Sequence, residues 1–342
     1  MKLTGHLLYL DITQICGIGC AFCMYADKHK NGKNMELTDN AKNNLRVLIN
    51  SPDVKRISIS GEGEPLNNVS VFHEILKLSE GGKSFEFITS GFFPHKLLEE
   101  FYIKTNDIVK NNGDTCNIRL SSDYYHIEKI VHKPHAFSLE YWLKNNPSNL
   151  TLSFRSIDID RGFTRGYLLD GLKNLSIKSE IKEQGILEDQ LIIDNKYFGI
   201  DYKNLVKPTH VATSEYLNIY GYIDAIEEKT GKKFTLGSIN KYPLNNGMDI
   251  TVKPSGDVHF YGIENIEIGN INHDIISWKH LQKFADDTPL IKTLYTMPFL
   301  DLIEKIKDND FAMKLIEQAN NPYWVVKEIA QHDDFIERMI AS

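Results

Sequence analysis

The sequence predicts an α/β fold built on a parallel sheet or barrel. Three observations lead there: a series of short β-rich apolar runs, amphipathic helix candidates between them, and a recurrence of about thirty residues from run to run. The runs are His6 to Ile12, Arg56 to Ser60, Phe85 to Thr89, Asn117 to Ser121 and Leu150 to Phe154. Each is short and rich in residues that suit a buried strand. After a longer first interval, the spacing is what one strand, one helix and two loops occupy.

The intervening helices carry their own signals. Thr38 is placed to cap a helix running to about Ile49. Asn68 to Leu78 stops at the Gly81-Gly82 pair, and Pro94 to Tyr102 carries Leu97, Leu98 and Phe101 at helical spacing. The pattern weakens between Arg161 and Val211, where charged segments such as Lys178 to Asp189 intervene, and Gln190 to Asp194 is the chosen sixth strand. Thr213 to Lys229 reads as a helix, and Asp249 to Tyr261 as two strands around a Pro-Ser-Gly turn. From Ile276 onward a helical tail is expected, broken at Pro298 and Pro322. The expected division is a barrel domain over residues 1–235 and an extension over 236–342.

A chain of 342 residues can bury such a core, and its formal charge of -7 argues against nucleic acid as the main partner. The start of the chain lacks the layout of a secretion signal, and no apolar stretch approaches the roughly 20 residues that cross a bilayer. Of the four cysteines, three fall within eight positions, which is a metal-site pattern rather than a disulfide framework. A reducing cytoplasm is the expected setting.

Cys16, Cys20 and Cys23 follow the first strand directly, as Cys-Gly-Ile-Gly-Cys-Ala-Phe-Cys. Three thiolates so close can ligate three irons of a 4Fe-4S cubane, and with no fourth cysteine nearby one iron stays open to chemistry. Gly17 and Gly19 give the loop the conformational freedom to wrap a cluster. The competing reading is a structural zinc site completed by one of the twelve histidines, but such sites favour paired Cys-x2-Cys elements. A zinc-stabilised binding module and an iron-sulfur electron carrier are the two rivals from other functional classes.

This triplet, with an aromatic residue before its last cysteine and a strand before its first, resembles the signature of the radical S-adenosylmethionine (SAM) superfamily. The resemblance extends by motif order over roughly residues 6–160. It implies a partial (β/α)6 parallel barrel and one 4Fe-4S cluster whose open iron is chelated by the amino and carboxylate groups of SAM. It further implies an external electron donor of the flavodoxin or ferredoxin type, and reductive cleavage of SAM to methionine and a 5′-deoxyadenosyl radical.

Other motifs follow in the family's order. Ser60-Gly61-Glu62-Gly63-Glu64-Pro65 resembles the Gly-Glu motif, which implies contacts from Gly61, Gly63 and Glu64 to the methionyl group of SAM. Glu62 stands where many members have glycine. Thr89-Ser90-Gly91 and Leu120-Ser121-Ser122-Asp123 resemble the polar strand ends of the family, with Ser90, Ser121 and Asp123 near the ribose and methionyl carboxylate. Ser153 and Arg155 are further candidates, an arginine being suited to the SAM carboxylate. Which of the two points inward is left open at this stage. Cys116, before the fourth strand, reads as a buried structural thiol.

Lys253 to Tyr261, with Ile268-Gly269-Asn270-Ile271, resembles the opening of a SPASM or twitch extension. Tyr261 stands where that subgroup has a cysteine for an auxiliary cluster, and no cysteine follows Cys116. The expectation is a SPASM-like scaffold without a second cluster, and a redox-neutral outcome such as epimerisation, rearrangement or elimination. Tyr261 is either an ordinary half-buried aromatic, the favoured reading, or a hydrogen or proton donor. Peptide modification in natural product biosynthesis is slightly favoured over a small polar metabolite. The short stretch before His6 tilts against a built-in winged domain for leader-peptide capture.

Overall fold

The computed structural model describes residues 5–23, 25, 31–203, 218–236, 247–318 and 322–341. Its strands are β1 (His6–Asp11), β2 (Val54–Ser60), β3 (Ser84–Thr89), β4 (Thr115–Ser121), β5 (Leu150–Ile157), β6 (Glu180–Gly185), β7 (Glu188–Ile193), β8 (Lys196–Lys203), β9 (Asp249–Val252), β10 (Asp257–Phe260) and β11 (Ile263–Asn270). The helices before β9 are α1 (Asp39–Asn50), α2 (Val69–Leu76), α3 (His95–Asn112), α4 (Tyr124–Lys129), α5 (Pro134–Asn145), α6 (Arg161–Asn174) and α7 (Ile219–Thr230). Six more close the chain: α8 (Trp278–Asp287), α9 (Pro289–Thr296), α10 (Phe299–Glu304), α11 (Asp310–Gln318), α12 (Pro322–Ile329) and α13 (Asp333–Ile340). No described helix is long and apolar enough to cross a membrane.

The chain forms two compact units. The first comprises Met1–Leu10, Glu36–Ile57 and Asn204–Ser342. Within it β9 lies parallel to β1, from Leu7 opposite Asp249 to Leu10 opposite Val252. Strands β9, β10 and β11 then run antiparallel, with Gly256 (φ +94°) supplying the left-handed residue of the Pro-Ser-Gly turn. Thr38 caps α1 by accepting from the Ala41 N–H, as its position in the sequence predicts. The tail is helical; Pro298 is the N-cap of α10 and Pro322 the first residue of α12, places where a proline costs no helical hydrogen bond. The helix expected from Thr213 appears as α7; residues 213–217 lie outside the described residues.

The second unit comprises Asp11–Met35 and Ser58–Lys203. It holds the ends of β1 and β2, then β3, β4, β5, β8, β7 and β6 in that spatial order. Strands β3, β4, β5 and β8 are parallel, the helices between them making the crossovers. The sheet does not close: it ends on β6, whose Lys182 and Glu183 are exposed, charges that blunt an unpaired edge.

The sixth parallel strand is β8, not Gln190 to Asp194. That segment is most of β7, which turns back as an antiparallel hairpin on β8 and β6. The physical reason is the Asp194-Asn195 pair. Both residues adopt positive φ, 46° and 65°, which a tight hairpin demands, so the chain reverses where a crossover was expected.

The parallel strands have two contrasting faces. Phe85, Phe87, Cys116, Ile118, Leu120, Leu152 and Phe154 point to one side and are buried under the helices. Phe87 meets Phe72 of α2 at 4.4 Å and Phe101 of α3 at 4.9 Å between ring centroids. On the other side the register aligns Glu86 with Asn117, Arg119 with Ser153, and Arg155 with Asp201. Parallel sheets are usually apolar on both faces, so this polar face needs another explanation.

Candidate functional site

The loops and strand ends of the second unit assemble the site. After β1, Ile12 donates its N–H to the Ser60 carbonyl (3.0 Å), and Gly63 and Glu64 donate theirs to Thr13 and Ile15 (both 2.9 Å). The segment leading to Cys16 is thereby laid on the Gly-Glu loop. A Cβ at Gly61 would sit 2.6 Å from the Thr13 oxygen, and one at Gly63 would clash with the Ile15 oxygen. Both positions therefore require glycine because two backbones touch there. Glu62 is buried and accepts from Gln14 Nε2 at 2.8 Å, so it braces the same junction from the position where a third glycine was expected.

The three thiols are partly exposed. Gly19 has φ +72°, so one of the two loop glycines uses the left-handed freedom expected of them. The backbone N–H groups of Ile18 and Tyr25 hydrogen-bond the thiols of Cys16 and Cys23. Burial pushes both thiols up in pKa, and the neighbouring cysteines push them further. Among the described residues, no three or more His, Cys, Asp or Glu side chains converge on a single-ion site. A cubane asks for something else, one thiolate at each of three iron corners, and a grouped, sulfur-solvating loop of three cysteines suits it. Cys116 is buried on the outer face of β4 and takes no part.

Glu64 is buried, and its carboxylate accepts four hydrogen bonds. Thr89 Oγ1 (2.5 Å) and the Leu66 N–H (3.1 Å) reach one oxygen; the Ser90 N–H (2.8 Å) and Ser90 Oγ (2.6 Å) reach the other. That fills the acceptor capacity of a carboxylate. Glu64 and Ser90 thus join the loop after β2 to the end of β3.

The end of β4 is organised similarly. Ser122 binds the Arg155 carbonyl through its N–H (2.7 Å) and hydroxyl (3.1 Å). Asp123 caps α4 by accepting from the His126 N–H (3.1 Å), and both its oxygens contact His126 Nδ1 at 2.9 and 2.8 Å. The same imidazole lies in hydrogen-bonding reach of the Cys20 thiol. Burial disfavours the imidazolium, but Asp123 and Cys20 outweigh it and lift His126 to about 10. Burial equally opposes ionisation of Asp123, and His126 more than offsets it.

Ser153 and Arg155 share a face, since residues two apart on a strand point the same way. The choice between them was therefore no choice. Both join Arg119 and Ser121 on the polar side: Asn117 Nδ2 donates to Ser153 Oγ (2.8 Å), Arg119 pairs with Glu86 (2.9 Å), and Arg155 pairs with Asp201 (3.2 Å). Lys203 ends β8 two residues beyond Asp201. Burial and the nearby Arg155 lower its pKa to about 8, with Asp123 partly compensating. Sequence reasoning missed Lys203 and His126, although an Asp three residues before a His is a readable capping pattern.

Tyr261 belongs to the first unit. Its ring packs edge-on against Tyr9 (5.3 Å) and Tyr323 (5.0 Å), and its N–H donates to the Asp249 carbonyl.

Residues 7–133 match the model of a family described as a 4Fe-4S single cluster domain. The matched segment holds the three-cysteine loop, the Gly-Glu loop and the ends of β3 and β4. Two solved structures share the fold of this chain. One is described as native anSMEcpe with bound AdoMet and Cp18Cys peptide: 12% identity, TM-score 0.53, covering 98% of this chain and 99% of that one. The other is His6-tagged anSMEcpe with bound AdoMet: 13% identity, TM-score 0.52, covering 98% and 96%. No curated protein matches. The family match is to a 4Fe-4S cluster domain, and the Cys16, Cys20 and Cys23 loop has the donor set for such a cluster.

Proposed function

We propose that this protein is a radical SAM enzyme that uses a 4Fe-4S cluster and SAM to abstract hydrogen from an unactivated C–H bond of a peptide. When bound, the two cofactors supply one-electron reductive cleavage of SAM to a 5′-deoxyadenosyl radical. The observation that carries this reading is the braced loop of three partly exposed thiols with no fourth cysteine beside it, which leaves one iron for a ligand other than protein.

The chain's own residues hold and orient. Cys16, Cys20 and Cys23 are the metal ligands. Gly61 and Gly63 keep the junction thin, and Glu64 and Ser90 fix the loop edge that faces the methionyl group. Arg155 offers its guanidinium to the SAM carboxylate, with Ser121, Asp123 and Ser153 completing the polar wall around SAM. Lys203 adds a cation at the carboxyl end of the sixth parallel strand, suited to an acidic group on the substrate.

A peptide substrate is supported by the peptide bound to the anSMEcpe structure of the same fold. A small polar metabolite is the alternative. We read residues 1–235 as the catalytic barrel and 236–342 as a SPASM-like extension, with Tyr261 at the place of an auxiliary-cluster cysteine and a secondary candidate for hydrogen or proton donation. Because no cysteine follows Cys116, that extension offers no thiolates for a second electron acceptor, which favours a redox-neutral outcome. A flavodoxin or ferredoxin in a reducing cytoplasm would deliver the electron.

Anaerobic reconstitution tests the reading. Wild type should hold about four irons per chain and release 5′-deoxyadenosine from SAM after reduction, while Cys20→Ala should do neither. A colourless protein with one zinc and no SAM turnover overturns it in favour of a zinc-stabilised module. A redox-active cluster without SAM affinity overturns it in favour of an electron carrier.

A further inference from the structure

Two residues of the second unit form a pair that the site described above leaves unused. His135, on α5, is buried, and its Nε2–H donates to the Ser121 carbonyl (2.9 Å), an oxygen that can only accept. That bond puts the ring proton on Nε2. Burial lowers the imidazole to about 4, so at neutral pH the ring is uncharged and Nδ1 is an acceptor. Tyr167, on α6, donates its hydroxyl to that nitrogen across 3.4 Å and packs edge-on against the same ring at 5.2 Å between centroids. Burial pushes the phenol up to about 12, so it keeps its proton.

The pair is joined to the cysteine loop by rings in contact. Tyr167 stacks on Phe163 (6.0 Å), Phe163 meets Tyr124 (5.4 Å), Tyr124 meets Tyr125 (5.7 Å), and Tyr125 meets Phe22, which lies between Cys20 and Cys23 (5.0 Å).

We infer that Tyr167 and His135 form a redox-active pair that draws stray radicals away from the cysteine-loop site along this line of rings. A phenol that loses an electron becomes a strong acid, and a buried radical cation is costly. A base within reach takes the proton as the electron leaves, so a neutral phenoxyl forms. A carbon radical at the site takes the hydroxyl hydrogen of Tyr125, forming C–H and breaking O–H. Tyr167 then gives an electron to the Tyr125 phenoxyl, which takes up a proton from water, while the Tyr167 proton passes to His135 Nδ1. One electron from the external low-potential donor, with return of the His135 proton, restores Tyr167. The net change is one carbon radical, one electron and one proton becoming a C–H bond. The quenching role rests on the radical chemistry proposed above; the redox character of the pair does not.

The test has two arms, each on full-length wild type, Tyr167→Phe and Tyr197→Phe, the last an exposed tyrosine outside the line. In the first, anaerobically reconstituted protein is reduced with SAM and no substrate, frozen during turnover, assayed for 5′-deoxyadenosine and read by electron paramagnetic resonance. In the second, the same protein without SAM or reductant is photo-oxidised with ruthenium tris-bipyridine and a cobalt(III) acceptor, then frozen and read likewise. Wild type and Tyr197→Phe should show a tyrosyl signal in both arms, coupled in deuterated buffer to a single well-defined hydrogen-bonded deuteron by electron–nuclear double resonance. Tyr167→Phe should lose that signal. A signal that persists unchanged in Tyr167→Phe, or that lacks the deuteron in wild type, overturns the pair. Samples that form 5′-deoxyadenosine without any tyrosyl radical overturn the quenching role. A Tyr167 radical in the photochemical arm, from protein that forms no 5′-deoxyadenosine, upholds the pair and refutes the radical chemistry instead.

Discussion

The two faces of the parallel strands divide the labour of the second unit. The outer face, Phe85, Phe87, Ile118, Leu120, Leu152 and Phe154, is closed and apolar; the inner face, Glu86, Asn117, Arg119, Ser153, Arg155 and Asp201, is a ladder of paired polar groups. Burial on the outer side stabilises the fold, at about 1.5–3 kcal/mol for each large apolar side chain. Paired charges on the inner side contribute little net stability, because desolvation offsets their attraction. Substitutions on the two faces should therefore separate stability from binding.

The largest effect belongs to the outer face. Phe87→Ala should lower unfolding free energy by about 3–5 kcal/mol in urea titration, while the folded fraction keeps wild-type SAM affinity. Glu64→Ala straddles the comparison. Loss of a buried four-bond acceptor should cost about 3 kcal/mol and weaken SAM binding in calorimetry, with iron content retained. A preserved stability would show that the loop edge is held without it.

Acid should attack the outer face next. His73 and His135 lie on α2 and α5, and burial lowers each to about 4 from an ordinary 6.5. Between those values the unfolded chain binds protons that the folded chain refuses. Their contribution is complete above about 6.5 and is lost as pH falls toward about 4. Urea midpoints should fall steadily through that window, and His73→Gln should flatten the slope.

The inner face gives the converse. Arg155→Met should raise the dissociation constant of SAM about tenfold, equivalent to about 1.4 kcal/mol, with a smaller change in the urea midpoint. Equal losses in both would erase the distinction between faces. Smallest of all, Cys116→Ala should cost about 1 kcal/mol and leave iron content and SAM cleavage intact.

The same contrast explains what could be read in the sequence. Strands β1 to β5 were legible because their outward residues form dense apolar runs. Strand β8 was not, since Lys196, Asp201 and Lys203 break up its apolar run and the charged hairpin before it hides the boundary. The cysteine triplet was legible from spacing. The role of Glu64 as a tie was not, because nothing in a linear sequence links it to Thr89 and Ser90. Arg155 was found but its face was left undecided, although its two-residue separation from Ser153 already placed both together.

The contact of Gly63 and Glu64 with Thr13 and Ile15 sets an order of events during synthesis. The segment before the thiols acquires its rails only after a much later stretch has been made, and that stretch is itself fastened by Thr89 and Ser90. A nascent chain that has only just extruded Cys23 offers iron three slack thiols and no cradle. Metal loading belongs after the third strand has left the ribosome, not at its exit.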